Sequence, residues 1–378
     1  MGIMGFTLHN KNEHPTLAIL TVKDSKRIFR GNLDNFIDLI RTGERLGLDV
    51  YVVTTTEFNL TASQLNGYRY DFDKKKWRRD LVPSPHVVYN RIPYRKMEMK
   101  PEVQQTIQAC NRSSSVHLFN SSFFNKWTLF EWLNSAKESK PHIPDTQQLT
   151  SARDITQLLR KHAVLYLKPV KGKAGKGIMR VERITHTNKN NEYRLSRQEN
   201  KKMVYTLHST VDDLWKEWMQ HRGSHDYIVQ QGITLTRYNQ RAYDLRALIQ
   251  KSSKGNWSVS GIGARVAGKS SITTHVPRGG SIDNPSKLLT DAFGAMEAKN
   301  ILKRARSAAV TLAKQIEKSS GNLLGEMSMD LGVDTKSNIW FFEANAKPMK
   351  FDEPEIRKKS LERIIRYSLY LINHGRRR

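Results

Sequence analysis

Two acidic residues and an asparagine near the C-terminus have the spacing expected of a metal site. Two largely apolar runs, 325–334 and 339–345, flank a short polar turn, which is typical of a β-hairpin. Folding this hairpin places Asp330 within about one residue of Glu343, where cross-strand side chains lie roughly 5 Å apart. Asn345 shares a strand face with Glu343. The resulting oxygen ligands suit Mg²⁺ with nucleotide phosphates completing the shell; the alternative is a solvated hairpin whose acids face water.

A lysine- and glycine-rich turn between two predicted strands has the composition of a phosphate-binding loop. The apolar strand ends at Lys168, and Gly172, Gly175 and Gly177 follow before the next strand. Glycines let backbone N–H groups approach phosphate, and a lysine adds a point charge. The turn is not a Walker A motif, because Gly177 stands where Ser or Thr is required. An ordinary hairpin tip with solubilising lysines is the alternative.

Two further predicted strands carry polar side chains. The strand 227–229 leads into Gln230, Gln231 and Gly232, whose backbone could contact an adenine edge. Asp244 and Arg246 alternate with apolar residues, so both project to one face of their strand. Such an arginine could bind phosphate, although a structural ion pair on a sheet surface would give the same pattern.

Composition restricts the class of protein. The chain has 378 residues, of which 38% are hydrophobic, enough for two or three domains. Its 63 Lys and Arg against 36 Asp and Glu give a formal charge of +27, which attracts polyanions. The basic residues are scattered, without the spacing of zinc fingers or RNA-recognition sheets, so nucleic acid is not indicated. A single cysteine, no secretory signal and no long apolar run predict a cytoplasmic protein without membrane insertion.

Alternating elements organise the chain. A strand at 16–22, a helix at 32–46 ending at Gly47 and a strand at 50–54 predict a parallel sheet in the first third. Apolar periodicity also predicts helices at 126–133, 300–318 and 357–372. The polar segment 185–202 has no such periodicity, and we expect an exposed loop there.

Together these motifs resemble the ATP-grasp superfamily, and more closely its endospore coat-associated branch of YheC/YheD-like proteins. The segments that carry the resemblance are Phe124–Trp127, Ile143–Thr146, Tyr166–Pro169 with Gly172, Gly175 and Gly177, Asp244–Arg246, Asp330, and Glu343–Pro348. The branch assignment also depends on Val88–Pro93 and Phe119–Asn120.

The resemblance implies an α+β and α/β architecture of three parts. These are an N-terminal α/β domain at 1–122, a small ATP-grasp subdomain with a glycine-rich lid at 123–228, and a C-terminal subdomain with the metal site at 229–378. The implied activity is that of an ATP- and Mg²⁺-dependent carboxylate–amine or carboxylate–thiol ligase acting through an acyl phosphate.

The resemblance also implies roles for individual residues. ATP contacts are expected from Lys126, Lys168, Lys171, Gly172, Gly175, Gly177, Gln230, Gln231 and Gly232. Catalytic contacts to phosphate, substrate or transition state are expected from Arg246, Arg265 and Arg278. Asp330, Glu343 and Asn345 would hold one or two Mg²⁺ ions, with Mn²⁺ as an alternative metal.

The partners implied are ATP, a carboxylate substrate such as an acidic peptide or polymer, and spore-coat proteins in the sporulating cell. Two departures accompany the resemblance: the segment 232–241 lacks the acid that often binds ribose, and His275 stands where relatives often have Asn. The alternative function is a non-catalytic spore-coat or polyanion-binding protein that retains the fold.

Overall fold

A computed structural model describes residues 14–171, 176–185, 191–199, 202–268 and 280–374. In these ranges the strands form three sheets, each packed against helices. No helix in the same ranges is both long enough and apolar enough to cross a membrane. The predicted domain boundary at residue 122 falls between the first and second sheets, whereas that at residue 228 falls inside a strand of the second sheet, Tyr227–Gln231. Both boundaries remain predictions.

The first sheet contains the predicted β-α-β unit. Its strands are β1 (Thr16–Thr21), β2 (Asp49–Thr54), β3 (Gln64–Asp71), β4 (Lys76–Pro83), β5 (Val87–Asn90) and β6 (His117–Phe119), in the order β4-β3-β2-β1-β5-β6. Its helices are α1 (Leu33–Leu46), α2 (Arg95–Glu98) and α3 (Pro101–Arg112). Strand β1 runs parallel to both β2 and β5, which confirms the parallel sheet. Asn32 caps α1, and Gly47 ends it with φ of 76°.

The second sheet carries the glycine turn. Its strands are β7 (Thr146–Leu149), β8 (Val164–Pro169), β9 (Met179–Thr185), β10 (Asn191–Glu199), β11 (Lys202–His208) and β12 (Tyr227–Gln231), in the order β11-β10-β9-β8-β12-β7. Helices α5 (Ala152–Lys161) and α6 (Val211–His221) pack on this sheet. Helix α4 (Lys126–Asn134) precedes β7 in the chain. The predicted loop at 185–202 is wrong for 191–199, because β10 pairs with strands on both sides. The sequence of this strand is mostly polar and charged, so it shows little apolar periodicity. Its pairing depends on the neighbouring strands, which the local sequence does not reveal.

The third sheet contains the predicted hairpin with Asp330 and Glu343, which we call the acidic hairpin. Its strands are β13 (Arg237–Tyr238), β14 (Arg241–Lys251), β15 (Trp257–Val266), β16 (Ser281–Asp283), β17 (Glu326–Val333) and β18 (Ile339–Asn345), in the order β16-β15-β14-β17-β18 with β13 beside β14. Two helices complete it, α7 (Pro285–Ser320) and α8 (Pro354–His374). Both are longer than predicted, and α7 breaks at Gly294, where φ is 77°.

The third sheet has one apolar face and one polar face, because successive side chains of a strand point to opposite sides. On β14 and β17 the residues Leu245, Ala247, Met329 and Leu331 are buried in a core shared with α7 and α4. Their neighbours along the strands therefore project from the other face. That face carries the polar residues predicted to do chemistry.

Candidate active site

Three predicted site residues form a row across adjacent strands of the third sheet. Asp330 of β17 pairs with Glu343 of β18 on one side and with Arg246 of β14 on the other. Directly opposed side chains share a face of the sheet, so the predicted proximity of Asp330 and Glu343 is confirmed. A register shift after Asp330 leaves Phe342 without a partner in the pairing and places it beside this row.

A cavity of ≈ 450 Å³ lies between the second and third sheets. Of the predicted site residues, Lys126, Lys168, Gln230, Gln231, Gly232, Asp330 and Glu343 line it. Its apolar lining includes Val164, Tyr166, Ile178, Leu235, Ala267 and Phe342, none of which is among the predicted site residues. Alternation along β8 could have identified two of them, since Val164, Tyr166 and Lys168 share one strand face. A cavity with apolar walls and cations suits a ligand that combines a flat ring with an anionic tail.

Lys168 is one of the cations that line the cavity. Its Nζ donates to Oε1 of Gln230 at 2.5 Å and lies 5.4 Å from the centre of the Phe342 ring. Gln230 donates in turn to Oγ1 of Thr146 at 2.8 Å, which fixes the orientation of its amide. Burial and the nearby charge of Lys126 lower the pKa of Lys168 to about 7. A bound phosphate would supply the negative charge that this ammonium lacks.

Lys126 reaches the acidic row from another element. It is the first residue of α4, and the Asn125 side chain caps that helix by accepting from Trp127 and Thr128. Its Nζ lies 2.9 Å from Oε2 of Glu343. Lys126 is therefore placed between the glutamate and the Lys168 side of the cavity.

Two of the three arginines predicted to be catalytic, Arg246 and Arg265, fall within the described residues, and neither lines the cavity. Arg265 of β15 lies 3.5 Å from Oδ2 of Asp330, and both side chains are only 8% exposed. Arg246 places its guanidinium 5.2 Å from the centre of the Phe351 ring. Arg246 lies on β14, next to β17, and Arg265 lies one strand further from Glu343, on β15. Their catalytic roles remain predictions.

The segment predicted to contact adenine lines the cavity, but part of its backbone is already engaged. The N–H of Gln231 donates to the Asp145 carbonyl at 2.8 Å, and that of Gly232 donates to the Val164 carbonyl at 2.7 Å. Ile233 and Thr234, which sequence reasoning missed, continue the lining. Any backbone donor to a base would therefore have to come from beyond Gly232.

The glycine turn is only partly described. Gly172, Gly175 and Arg278 lie outside the described residues. Lys171 is exposed, and Gly177 adopts φ of 78° beside Tyr227, whose hydroxyl donates to its carbonyl at 3.1 Å. The sequence predicted a strand on each side of this turn, and the two strands, β8 and β9, pair antiparallel.

The acidic residues match the ligand chemistry of Mg²⁺. Asp330 and Glu343 supply carboxylates, and Asn345, two residues along β18 and opposite Ser328, supplies an amide carbonyl. Across 14–171, 176–185, 191–199, 202–268 and 280–374, no three His, Cys, Asp or Glu side chains form a metal cluster. A site in this protein would thus combine two carboxylates with an amide and ligand oxygens.

Curated relatives of this chain are spore-associated. It is 27% identical over 380 residues to the endospore coat-associated protein YheD of Bacillus subtilis (strain 168), covering 96% of this chain and 81% of that protein. It is 20% identical over 327 residues to YheC of the same organism, covering 83% and 85%.

Solved structures share the fold at low identity. The ATP-grasp ligase PsnB, complexed with a minimal precursor, Mg and ADP, matches with a TM-score of 0.53 and 13% identity over 95% of this chain and 98% of that one. The D-alanine-D-alanine ligase of Coxiella burnetii matches with a TM-score of 0.53 and 11% identity over 96% and 95%. These matches confirm the predicted fold class. Residues 115–371 match the model of the YheC/D like ATP-grasp family, and the chain belongs to that family.

Proposed function

We propose that this protein is an ATP-dependent ligase that joins a carboxylate to an amine or thiol. The observation that carries the proposal is the meeting of Lys126, Lys168, Asp330 and Glu343 in one cavity between two sheets. Cations and carboxylates gathered in one cavity are what a metal-bound polyphosphate requires. The membership in an ATP-grasp family supports the same assignment.

Each part of the cavity has a proposed task. The apolar walls around Tyr166 and Phe342 would enclose the adenine ring, and Lys126 and Lys168 would contact the phosphates. Asp330, Glu343 and Asn345 would hold Mg²⁺, which when bound neutralises phosphate charge. Glu343 would then exchange its contact with Lys126 for the metal, which frees the Lys126 ammonium for phosphate.

The proposed reaction has two steps. A carboxylate oxygen of the substrate attacks the γ-phosphorus of ATP, the bond to the β,γ-bridging oxygen breaks, and ADP leaves. An amine or thiol then attacks the carbonyl carbon of the acyl phosphate, loses its proton and expels inorganic phosphate. Positioned cations lower the barrier of the first step because they stabilise charge on the transferring phosphoryl group. The glycine turn 172–177 would cover the phosphates and exclude water.

The biological setting is also proposed from the relatives. Two relatives are named endospore coat-associated proteins. We therefore propose that this protein acts in the cytoplasm of a sporulating cell and associates with the spore coat. Spore-coat proteins would be partners or substrates.

Calorimetric titration with a non-hydrolysable ATP analogue, with and without Mg²⁺, tests the site. The parent protein should bind in a metal-dependent manner, and Glu343→Ala and Lys168→Ala should each abolish detectable binding. Glu355→Ala provides a control, because this glutamate is exposed in the first turn of α8. If both site variants bind as the parent does, the assignment of the site is wrong.

A non-catalytic, polyanion-binding function is the second candidate, and the formal charge of +27 favours it. ADP release distinguishes the two functions. A ligase should release ADP when a carboxylate substrate is supplied from a panel of acidic peptides and amino acids. Nucleotide binding without ADP release for any member of such a panel would favour the second candidate.

A further inference from the structure

A larger cleft, of ≈ 980 Å³, lies beyond the carboxyl ends of β1 and β5, two central strands of the first sheet. Its lining comes from the segment that follows β1, residues 24–36, and from the segment that follows β5, residues 91–94. These strands are parallel neighbours, and the chain leaves them towards opposite sides of the sheet. In open α/β sheets, ligands bind outside the carboxyl ends of the strands at such a switch point.

The exposed cations of this cleft are Lys26 and Arg27, and the acids of its lining are Asp24 and Asp34. The other cations of the lining are paired, Arg30 with Asp24, Arg91 with Glu326 and Lys347 with Glu98. Asp24 is engaged by Arg30 at 2.8 Å. Lys26 and Arg27 are exposed, and in the part of the chain that the structure describes no salt bridge engages either of them. The N-terminus of α1 also borders the cleft and adds its positive dipole.

The inner wall of the cleft adjoins the proposed metal site. Lys347 lies two residues beyond Asn345, and two extended residues span at most about 7 Å. Arg91 donates to the Pro348 carbonyl at 3.0 Å, which joins the first sheet to the segment that follows β18. A ligand that enters at Lys26 and Arg27 would therefore approach the metal side of the nucleotide cavity from outside.

We propose that this cleft binds an acidic polypeptide, a chain with several carboxylates, one of which is the group to be activated. The role as a substrate site rests on the proposed ligase function, whereas the binding itself does not. The volume is at the upper end of the roughly 300–1,000 Å³ range of small-ligand pockets, so a chain of several residues fits better than one amino acid. Arginine forks bind carboxylates with two parallel hydrogen bonds.

The lining favours a polypeptide over a single-stranded nucleic acid. Nucleic-acid grooves add aromatic side chains on which successive bases stack. Of the aromatic residues in this lining, Phe36 is buried in the core and Tyr94 lies at the exposed rim. Leu33 and Pro93 supply apolar surface between the cations.

Fluorescence anisotropy with a fluorescein-labelled hexaglutamate peptide tests the cleft. The double variant Lys26→Glu/Arg27→Glu reverses the two exposed cations, and it should weaken binding by about tenfold or more. Lys74→Glu/Lys76→Glu makes the same change in net charge at the β3–β4 turn. Because β3 runs antiparallel to β2, that turn lies near the amino ends of the parallel strands, at the other end of the sheet from the cleft. Binding by this control should stay within about twofold of the parent, since only distant, screened charges change.

Equal hexaglutamate binding by the parent and Lys26→Glu/Arg27→Glu would overturn the proposal. A labelled hexathymidylate that binds the parent as tightly as hexaglutamate would overturn the choice of polypeptide. Titration of the ATP analogue into the same variants separates this inference from the ligase function, because neither pair lines the nucleotide cavity. Absent nucleotide binding by the parent would refute the ligase proposal and leave the hexaglutamate result standing as evidence for the cleft.

Discussion

If the cavity binds ATP as proposed, the ammonium of Lys168 should couple that binding to pH. Its pKa is lowered to about 7 by burial and by Lys126, so it is charged below pH 7 and neutral above. Polyphosphate favours the charged form and would raise this pKa on binding. The affinity for the ATP analogue should therefore fall as pH rises through 7, by up to about tenfold per pH unit, because one pKa unit corresponds to a tenfold change in proton affinity.

Calorimetry at pH 8 in two buffers of different ionisation enthalpy measures the expected proton uptake. Lys168→Arg is the matched variant, because a guanidinium stays charged throughout this range. Lys168→Arg should bind the ATP analogue without taking up a proton at this position. Any proton taken up by the phosphate itself is common to both proteins and cancels in the comparison. Equal uptake by the parent and Lys168→Arg would exclude Lys168 as the titrating group.

At the scale of elements, one buried asparagine joins the first sheet to the acidic hairpin. Asn120, directly after β6, is fully buried and adopts φ of 57°, a conformation that Asn tolerates better than most residues. Its Oδ1 accepts from the N–H groups of Gly325 and Glu326, at 2.8 and 3.3 Å. Its Nδ2 donates to the carbonyls of Glu326 and Ala346. Asn120 thus holds both strands of the hairpin at its open end, away from the turn.

Asn120→Ala should lower the free energy of unfolding by about 3 kcal/mol or more, because it leaves several buried backbone groups without partners. Urea denaturation measures the change. Asn66→Ala, at an exposed position in β3, should alter stability by less than about 0.5 kcal/mol. Similar midpoints for the two variants would show that Asn120 does not join these elements.

The sequence predicted elements better than contacts between them. The hairpin register of Asp330 and Glu343 was predictable because a short turn between two apolar runs restricts the pairing. The ion pair of Lys126 with Glu343 was not, because 217 residues separate them and only the packing of α4 beside the third sheet brings them together. That Tyr166 and Phe342 line the same cavity was likewise not predictable, because they belong to different sheets.

At the scale of the whole molecule, the last helix completes the core of the first sheet. Helix α8 follows the acidic hairpin, yet Ile364, Ile365 and Leu371 are buried in one cluster with Leu17 and Ile19 of β1. Ion pairs reinforce the contact, with Arg45 of α1 lying 2.7 Å from Glu362. The N-terminal sheet therefore depends on residues more than 300 positions away in the chain.

Ile365→Ala should destabilise the protein by about 2–5 kcal/mol through loss of buried surface and a residual cavity. Because Ile365 packs in the first core, hydrogen exchange should accelerate in β1 and β2 as well as in α8. Ile316→Ala is the matched control, since Ile316 of α7 is equally buried but belongs to the core of the third sheet. Its effect should concentrate in β14 and β17. If exchange in β1 and β2 responds equally to both substitutions, the two cores unfold as one unit, and α8 does not stabilise the first sheet selectively.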